Sequence, residues 1–217
     1  MNTTNRLARI SFTAGPAALL CGWLLMGPVS GEAMPSPWWV AANAAWLAGF
    51  LMLGVMTVAL RGMARPVSGG RRVVVDTAAG IALLSLAANV AQCAIAVYAA
   101  FTASGADGMR TLLDQVRGYP GVEVSLYTAG PQLVYPALVT LAVMLAVLGR
   151  VTVVSVAVTA AGVVVLMAGM AQAGQDSALA GVGIALMWLG MLLLGRGTSS
   201  SPRNPGLGLP GSVVNPR

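Results

Sequence analysis

The 217-residue sequence contains no histidine and no lysine, and only two cysteines. Without histidine the chain cannot build a His-ligated haem, a histidine general base or a His/Cys metal cluster. Cys21 and Cys93 do not form a C-x-x-C pair, so we expect two buried free thiols rather than a redox site. The sequence therefore predicts no catalytic residue, no metal site, no cofactor and no enzyme activity.

Charged residues are also scarce. Only 8% of the residues are ionic, whereas a water-facing surface needs roughly 25–35% ionic residues to stay dispersed. The apolar share is 57%, above the roughly 45–50% of an average soluble domain. This composition excludes a soluble globular protein, a disordered protein and an ordinary nucleic-acid-binding protein, and it predicts a membrane protein.

Six apolar stretches are long enough to cross a bilayer as helices, which takes about 20 residues. They lie at about 8–27, 38–60, 77–103, 127–148, 151–173 and 178–195. We predict an all-α polytopic membrane bundle of six transmembrane helices in residues 1–196. The remaining segment, 197–217, is rich in Ser, Pro and Gly and is predicted to be a disordered cytoplasmic tail.

The charges are distributed unevenly on the two sides of these spans. With a cytoplasmic N-terminus, the inner segments carry ten Arg and one acid, and the outer segments carry two Arg and five acids. This positive-inside pattern predicts that the N- and C-termini are both cytoplasmic. Arginine without lysine is typical of a GC-rich genome, so we expect a multi-pass protein of a bacterial plasma membrane.

The first span has a second interpretation, as a signal peptide. Arg6 and Arg9 precede its apolar run, and Gly31-Glu32-Ala33 loosely fits a small-x-small cleavage site. The apolar run is long for a signal peptide, which favours a retained span. Cleavage would leave five spans with the same orientation.

Three connections between spans carry their own patterns. The segment 63–75, with Gly69-Gly70 and several arginines, is predicted to be a flexible basic loop, and Gly149-Arg150 is predicted to form a very tight turn. The outer loop, 104–126, is predicted to contain an amphipathic helix. Its apolar stripe follows i, i+3, i+4 and i+7 spacing and consists of Met109, Leu112, Leu113 and Val116. Arg110, Asp114 and Arg117 lie on the other side of the helix. This helix is either a connector packed on the ends of the spans, which we favour, or a lid or partner-docking element.

Polar residues inside the spans are neutral and gather in the outer halves. No ionised side chain falls in the middle of a span, which argues against transport coupled through a buried carboxylate. The candidate polar residues are Asn43, Asn89, Gln92, Gln132 and Tyr135. Amides that face lipid are costly, so these side chains are predicted to face the bundle. They form either hydrogen bonds between helices or a polar pocket that opens to the outside.

Small residues recur four positions apart, which lets helix backbones approach closely. The pairs are Ala45/Gly49, Ala87/Ala91, Gly169/Ala173 and Gly181/Ala185. Packing faces without recognisable chemistry favour a non-catalytic accessory, assembly or regulatory membrane component. The alternative is a small-solute or lipid permease with an outward-facing neutral polar pocket. The expected partners are membrane lipids and either other membrane proteins or a second copy of the chain, and no nucleic acid is expected.

Overall fold

A computed structural model describes residues 3–27, 36–173 and 177–197. This part of the chain is almost entirely helical and contains no strand. Six of its helices are long and apolar enough to cross a membrane, which confirms the predicted number of spans. The protein is therefore an all-α, multi-pass membrane helix bundle.

The helix bounds agree with the predicted spans to within a few residues at most ends. The helices are α1 (Thr3–Met26), α2 (Pro37–Met63), α3 (Gly69–Thr102), α4 (Gly105–Arg117), α5 (Ala129–Gln132), α6 (Val134–Val147), α7 (Val153–Ala173) and α8 (Ala178–Gly197). A π-helical turn, Glu123–Thr128, precedes α5, and together with α5 and α6 it forms the fourth span. The candidate cleavage site and the tail from residue 198 onwards lie outside the described residues, so both interpretations stay predictions.

The six spans form a closed ring in chain order. Each span packs on the next one along the chain, and α8 closes the ring by packing against α1. The helix α4 lies at one end of the ring, which we name the α4 end. The opposite end, which we name the basic end, carries Arg61, Arg65, Arg71, Arg72 and Arg150.

Long apolar side chains fill the half of the ring nearer the basic end. They come from α2, α6 and α8, and each is only 1–2% exposed: Leu53, Met56, Leu60, Leu141, Leu145, Met191 and Leu194. We name this group the apolar plug. Because the plug fills the interior on that side, any internal space must lie towards the α4 end.

Glycines allow the closest approach between helices, which occurs between α7 and α8. A Cβ atom added to Gly162, Gly183 or Gly190 would overlap backbone atoms of the facing helix. Three small residues that the four-residue spacing predicted also lie in tight contacts: Gly49, Gly169 and Gly181. The predicted pair on α3 behaves differently, because Ala87 is exposed.

The connection between α2 and α3 is shorter than the sequence predicts. The helix α3 begins at Gly69, so the prediction of a flexible loop is wrong for residues 69–75. The Asp76 carboxylate provides a physical reason, since it pairs with Arg61 Nε at 2.7 Å and with Arg72 Nε, one turn earlier, at 3.5 Å. These ion pairs join the first turns of α3 to the end of α2.

The tight turn after α6 is confirmed. Gly149 has a φ of +66°, the left-handed conformation that glycine adopts most easily after a helix. The Arg150 N–H donates to the Leu145 carbonyl at 2.9 Å, and the Gly149 N–H donates to the Ala146 carbonyl at 2.9 Å. These are the two hydrogen bonds of a Schellman motif, so the turn satisfies two of the last helical carbonyls.

Candidate functional site

A cavity of about 260 Å³ lies inside the ring, between the apolar plug and α4. All six spans and α4 contribute to its wall. An engineered apolar cavity of roughly 150 Å³ is large enough to bind benzene, so this space is large enough for a small organic molecule. The structure brings all five residues of the predicted polar pocket to this one cavity: Asn43, Asn89, Gln92, Gln132 and Tyr135.

The fourth span is interrupted beside the cavity. Pro131 and Pro136 have no N–H to donate, and their rings crowd the preceding turn. The Ser85 hydroxyl on α3 lies 2.6 Å from the Gly130 carbonyl oxygen and 3.0 Å from that of Pro131. Asn89 Nδ2 donates to the same Pro131 oxygen at 3.3 Å. Two polar side chains of α3 therefore hold the interrupted segment in place and satisfy its backbone inside the membrane.

The buried amides were predicted either to bond neighbouring helices or to line a polar pocket. Both apply to Asn89, which donates a hydrogen bond to the fourth span and also lines the cavity. Asn43 Nδ2 instead donates to the Trp39 carbonyl of its own helix at 2.9 Å, and within the described residues no bond to a neighbouring helix explains its burial. Its side chain is only 6% exposed and lies in the cavity wall.

Two polar atoms of the wall are buried without a hydrogen-bond partner in the part of the chain that the structure describes. They are the Tyr127 hydroxyl oxygen and the Gln132 side-chain oxygen. A buried polar group without a partner costs about 1–3 kcal/mol, and within a membrane such groups normally bond internally. Both residues line the cavity, although these two atoms have almost no accessible surface of their own.

Aromatic rings form much of the wall, which the sequence did not predict. Half of the chain's aromatic residues line the cavity: Trp23, Trp39, Trp46, Phe50, Tyr127 and Tyr135. The Trp46 Nε1–H donates to the Leu19 carbonyl at 3.2 Å, which anchors this ring between α2 and α1. No spacing within one helix reveals the group, because its members belong to three spans.

The helix α4 covers the cavity at its end of the bundle, and its predicted apolar stripe is confirmed. Met109 is 2% exposed and packs with Trp39, Ala96 and Ala99 of the helices below. Leu113, on the same stripe, reaches the cavity itself. The favoured interpretation of a connector packed on the helix ends therefore agrees with the structure. A role as a lid stays a prediction.

Arg117 is exposed on α4, in agreement with its predicted place on the polar side of that helix. The sequence did not predict that its half-exposed side chain also lines the cavity. Its Cζ lies 4.8 Å from the centroid of the Tyr127 ring, and its Nε lies 3.8 Å from Glu123 Oε2. Arg117 is the last residue of α4, and the chain turns there towards the fourth span, which carries both partners.

The two cysteines are free and on separate spans, as predicted, but the prediction that both are buried is wrong for Cys21. Cys93 is buried and lines the cavity, and Cys21 is exposed on α1. No protein-family model, curated protein or solved structure matches this chain, so the cavity's own residues carry the functional argument.

Proposed function

We propose that this protein is a permease for a small organic molecule, which it binds in the cavity from the α4 end. The interrupted fourth span is the observation that carries the proposal. Membrane transporters commonly build their substrate sites from discontinuous helices near the middle of the bilayer. Here Pro131 and Gln132, at the interruption, form part of the cavity wall.

The composition of the wall supports binding of an organic molecule. Ligand pockets are mostly apolar and aromatic, with a few polar groups that orient the ligand. This wall combines aromatic rings with the side-chain amides of Asn43, Gln92 and Gln132. Passage to the basic end requires the apolar plug to open, so the described arrangement corresponds to the ligand-loading state of the proposed permease.

We also propose that the basic end faces the cytoplasm of a bacterial plasma membrane, so that the cavity opens to the outside. Among the described residues, eight arginines belong to that end: Arg6, Arg9, Arg61, Arg65, Arg71, Arg72, Arg150 and Arg196. The α4 end carries two arginines and three acids: Arg110, Arg117, Asp107, Asp114 and Glu123. The positive-inside rule orients such a protein with its basic end in the cytoplasm.

Cysteine labelling tests this orientation. In a Cys21→Ala, Cys93→Ala background, Thr111→Cys places a thiol on the exposed side of α4, and Ser68→Cys places one at the exposed basic end. A membrane-impermeant maleimide is expected to label the Thr111 position in intact cells and the Ser68 position only after permeabilisation. The opposite result would invert the proposed topology.

Ligand binding is tested by filling the cavity. Ala96 is 8% exposed and lies in the wall, whereas Ala94, on the same helix, is exposed outside it. We expect the wild-type protein in nanodiscs to bind tritiated 2-naphthalenemethanol saturably. Ala96→Trp should weaken this binding at least tenfold, because an indole occupies the space, and Ala94→Trp should bind like the wild type.

The result also separates the two functions considered for this chain. Equal retention of the probe by wild type, Ala96→Trp and protein-free nanodiscs would refute a binding cavity. The accessory or assembly role that the small-residue faces favour would then be the better interpretation. Purification from native membranes would test that role by identifying associated membrane proteins.

A further inference from the structure

Among the described residues of the cavity wall, Arg117 is the only one with an ionised side chain. Its ion pair with Glu123 is long, at 3.8 Å, compared with the roughly 2.7–2.9 Å of a charge-assisted hydrogen bond. This contact joins Nε to Glu123 Oε2, and a guanidinium offers five N–H donors. Arg117 therefore has donors left for a further anion.

Stacking holds the Arg117 guanidinium next to the cavity. Its Cζ lies 4.8 Å from the centroid of the Tyr127 ring, a distance at which cation and ring attract each other. The side chain of Arg117 is half-exposed, so its N–H groups can reach an anionic group where the cavity meets α4.

The rest of the wall selects for an aromatic body. Rings from Trp23, Trp39, Trp46 and Phe50 line the cavity, and aromatic pairs gain about 0.5–1.5 kcal/mol beyond the burial of their area. Such rings also attract cations, but the described wall contains no carboxylate to pair with a cation and does contain Arg117. The wall therefore combines an aromatic interior with one guanidinium at its mouth, whose Nε lies 3.8 Å from Glu123 Oε2.

From this arrangement we infer that the ligand is an aromatic anion, such as an aryl carboxylate or aryl sulfonate, whose charged group binds Arg117 while its ring enters the cavity. The inference rests on the proposed function, because it names the ligand class of the same cavity. The structural explanation of Arg117, as a basic residue that stabilises the C-terminus of α4, predicts no preference among ligands of different charge.

The test compares three probes that share one ring system: 2-naphthalenesulfonate, 2-naphthalenemethanol and 2-naphthyltrimethylammonium. With the full chain in nanodiscs, the sulfonate is expected to bind at least tenfold more tightly than the other two. Arg117→Gln should remove most of this preference, a loss of about tenfold for a charge-assisted contact. The same variant should change the affinity for the neutral alcohol much less than the affinity for the sulfonate.

Two further variants complete the comparison. Arg110→Gln removes the same charge from the same helix, but the Arg110 side chain is 79% exposed and is not in the described wall. The Arg110→Gln protein should therefore bind all three probes like the wild type. Arg117→Lys keeps the charge without the planar fork and should retain part of the sulfonate preference. Octanesulfonate should bind at least threefold more weakly than 2-naphthalenesulfonate, because it lacks the ring.

The possible outcomes separate the ligand class from the existence of a binding cavity. The ligand class would be overturned, and the binding cavity kept, if the alcohol bound saturably and the sulfonate bound no more tightly. The same conclusion would follow if Arg117→Gln preferred the sulfonate as strongly as the wild type does. Absence of saturable binding for every probe would overturn the cavity function itself. Sulfonate binding without uptake into proteoliposomes would keep the ligand class and refute transport.

Discussion

Replacing Gly183 with alanine is expected to lower the free energy of unfolding by about 1–3 kcal/mol, the usual cost of overpacking a close contact. The added methyl group would overlap the backbone nitrogen and Cα of Leu166 on the facing helix. Backbone atoms cannot move aside as a flexible side chain can, so α7 and α8 must separate. Gly183→Val should destabilise the protein further, since it adds two more methyl groups at the same point.

The matched control is Gly54→Ala. Gly54 also lies inside a membrane-spanning helix, but an added Cβ there meets no atom of the described residues within 4 Å. Alanine favours helix over glycine by about 0.8–1.0 kcal/mol, so this variant should be as stable as the wild type or more stable. Unfolding in SDS titrations, followed by circular dichroism, measures both. Equal stability of Gly183→Ala and Gly54→Ala would contradict the close packing.

The same substitution has a consequence for the cavity. Leu166, the residue that Gly183 contacts, also lines the cavity wall. Separation of α7 from α8 would therefore shift one side of the wall and weaken binding of 2-naphthalenemethanol. The glycine contact links the packing of the bundle to the shape of its site.

Removing both polar anchors of α3 is the second change with a large expected effect. Ser85→Ala combined with Asn89→Leu would leave the carbonyls of Gly130 and Pro131 without their α3 donors. We expect a loss of about 2 kcal/mol, which is above the roughly 0.6 kcal/mol of an average hydrogen bond between membrane helices. The reason is that these carbonyls belong to an interrupted helix, where the backbone offers fewer alternative donors.

Thr140→Val controls for the loss of a hydroxyl in the same span. Thr140 Oγ1 donates to the Pro136 carbonyl of its own helix at 2.8 Å and is exposed. In regular helix the Thr140 N–H still serves that carbonyl, so the change should cost less than about 0.5 kcal/mol. The same SDS titration compares the two variants. A wild-type stability for the Ser85→Ala, Asn89→Leu variant would show that the interruption does not depend on α3.

Hydropathy and charge in the sequence were sufficient for the number of spans and for several local details. Six apolar stretches became six spanning helices, Gly149 ended α6 in the left-handed conformation, and Met109 on the predicted stripe is buried. Each of these features depends on residues close together in the chain. The early start of α3 was missed, because the ion pairs of Asp76 offset the helix-weakening effect of Gly69-Gly70.

The tertiary structure alone decided which faces of the spans meet. Lipid is as apolar as the interior of a membrane bundle, so hydrophobicity does not mark the buried face of a spanning helix. Only the rare polar residues carry that information, which is why the five predicted pocket residues lie together in the cavity. The aromatic wall and Arg117 carried no such signal. Their position depends on the closing of the ring between α1 and α8, which brings side chains from distant parts of the sequence around one space.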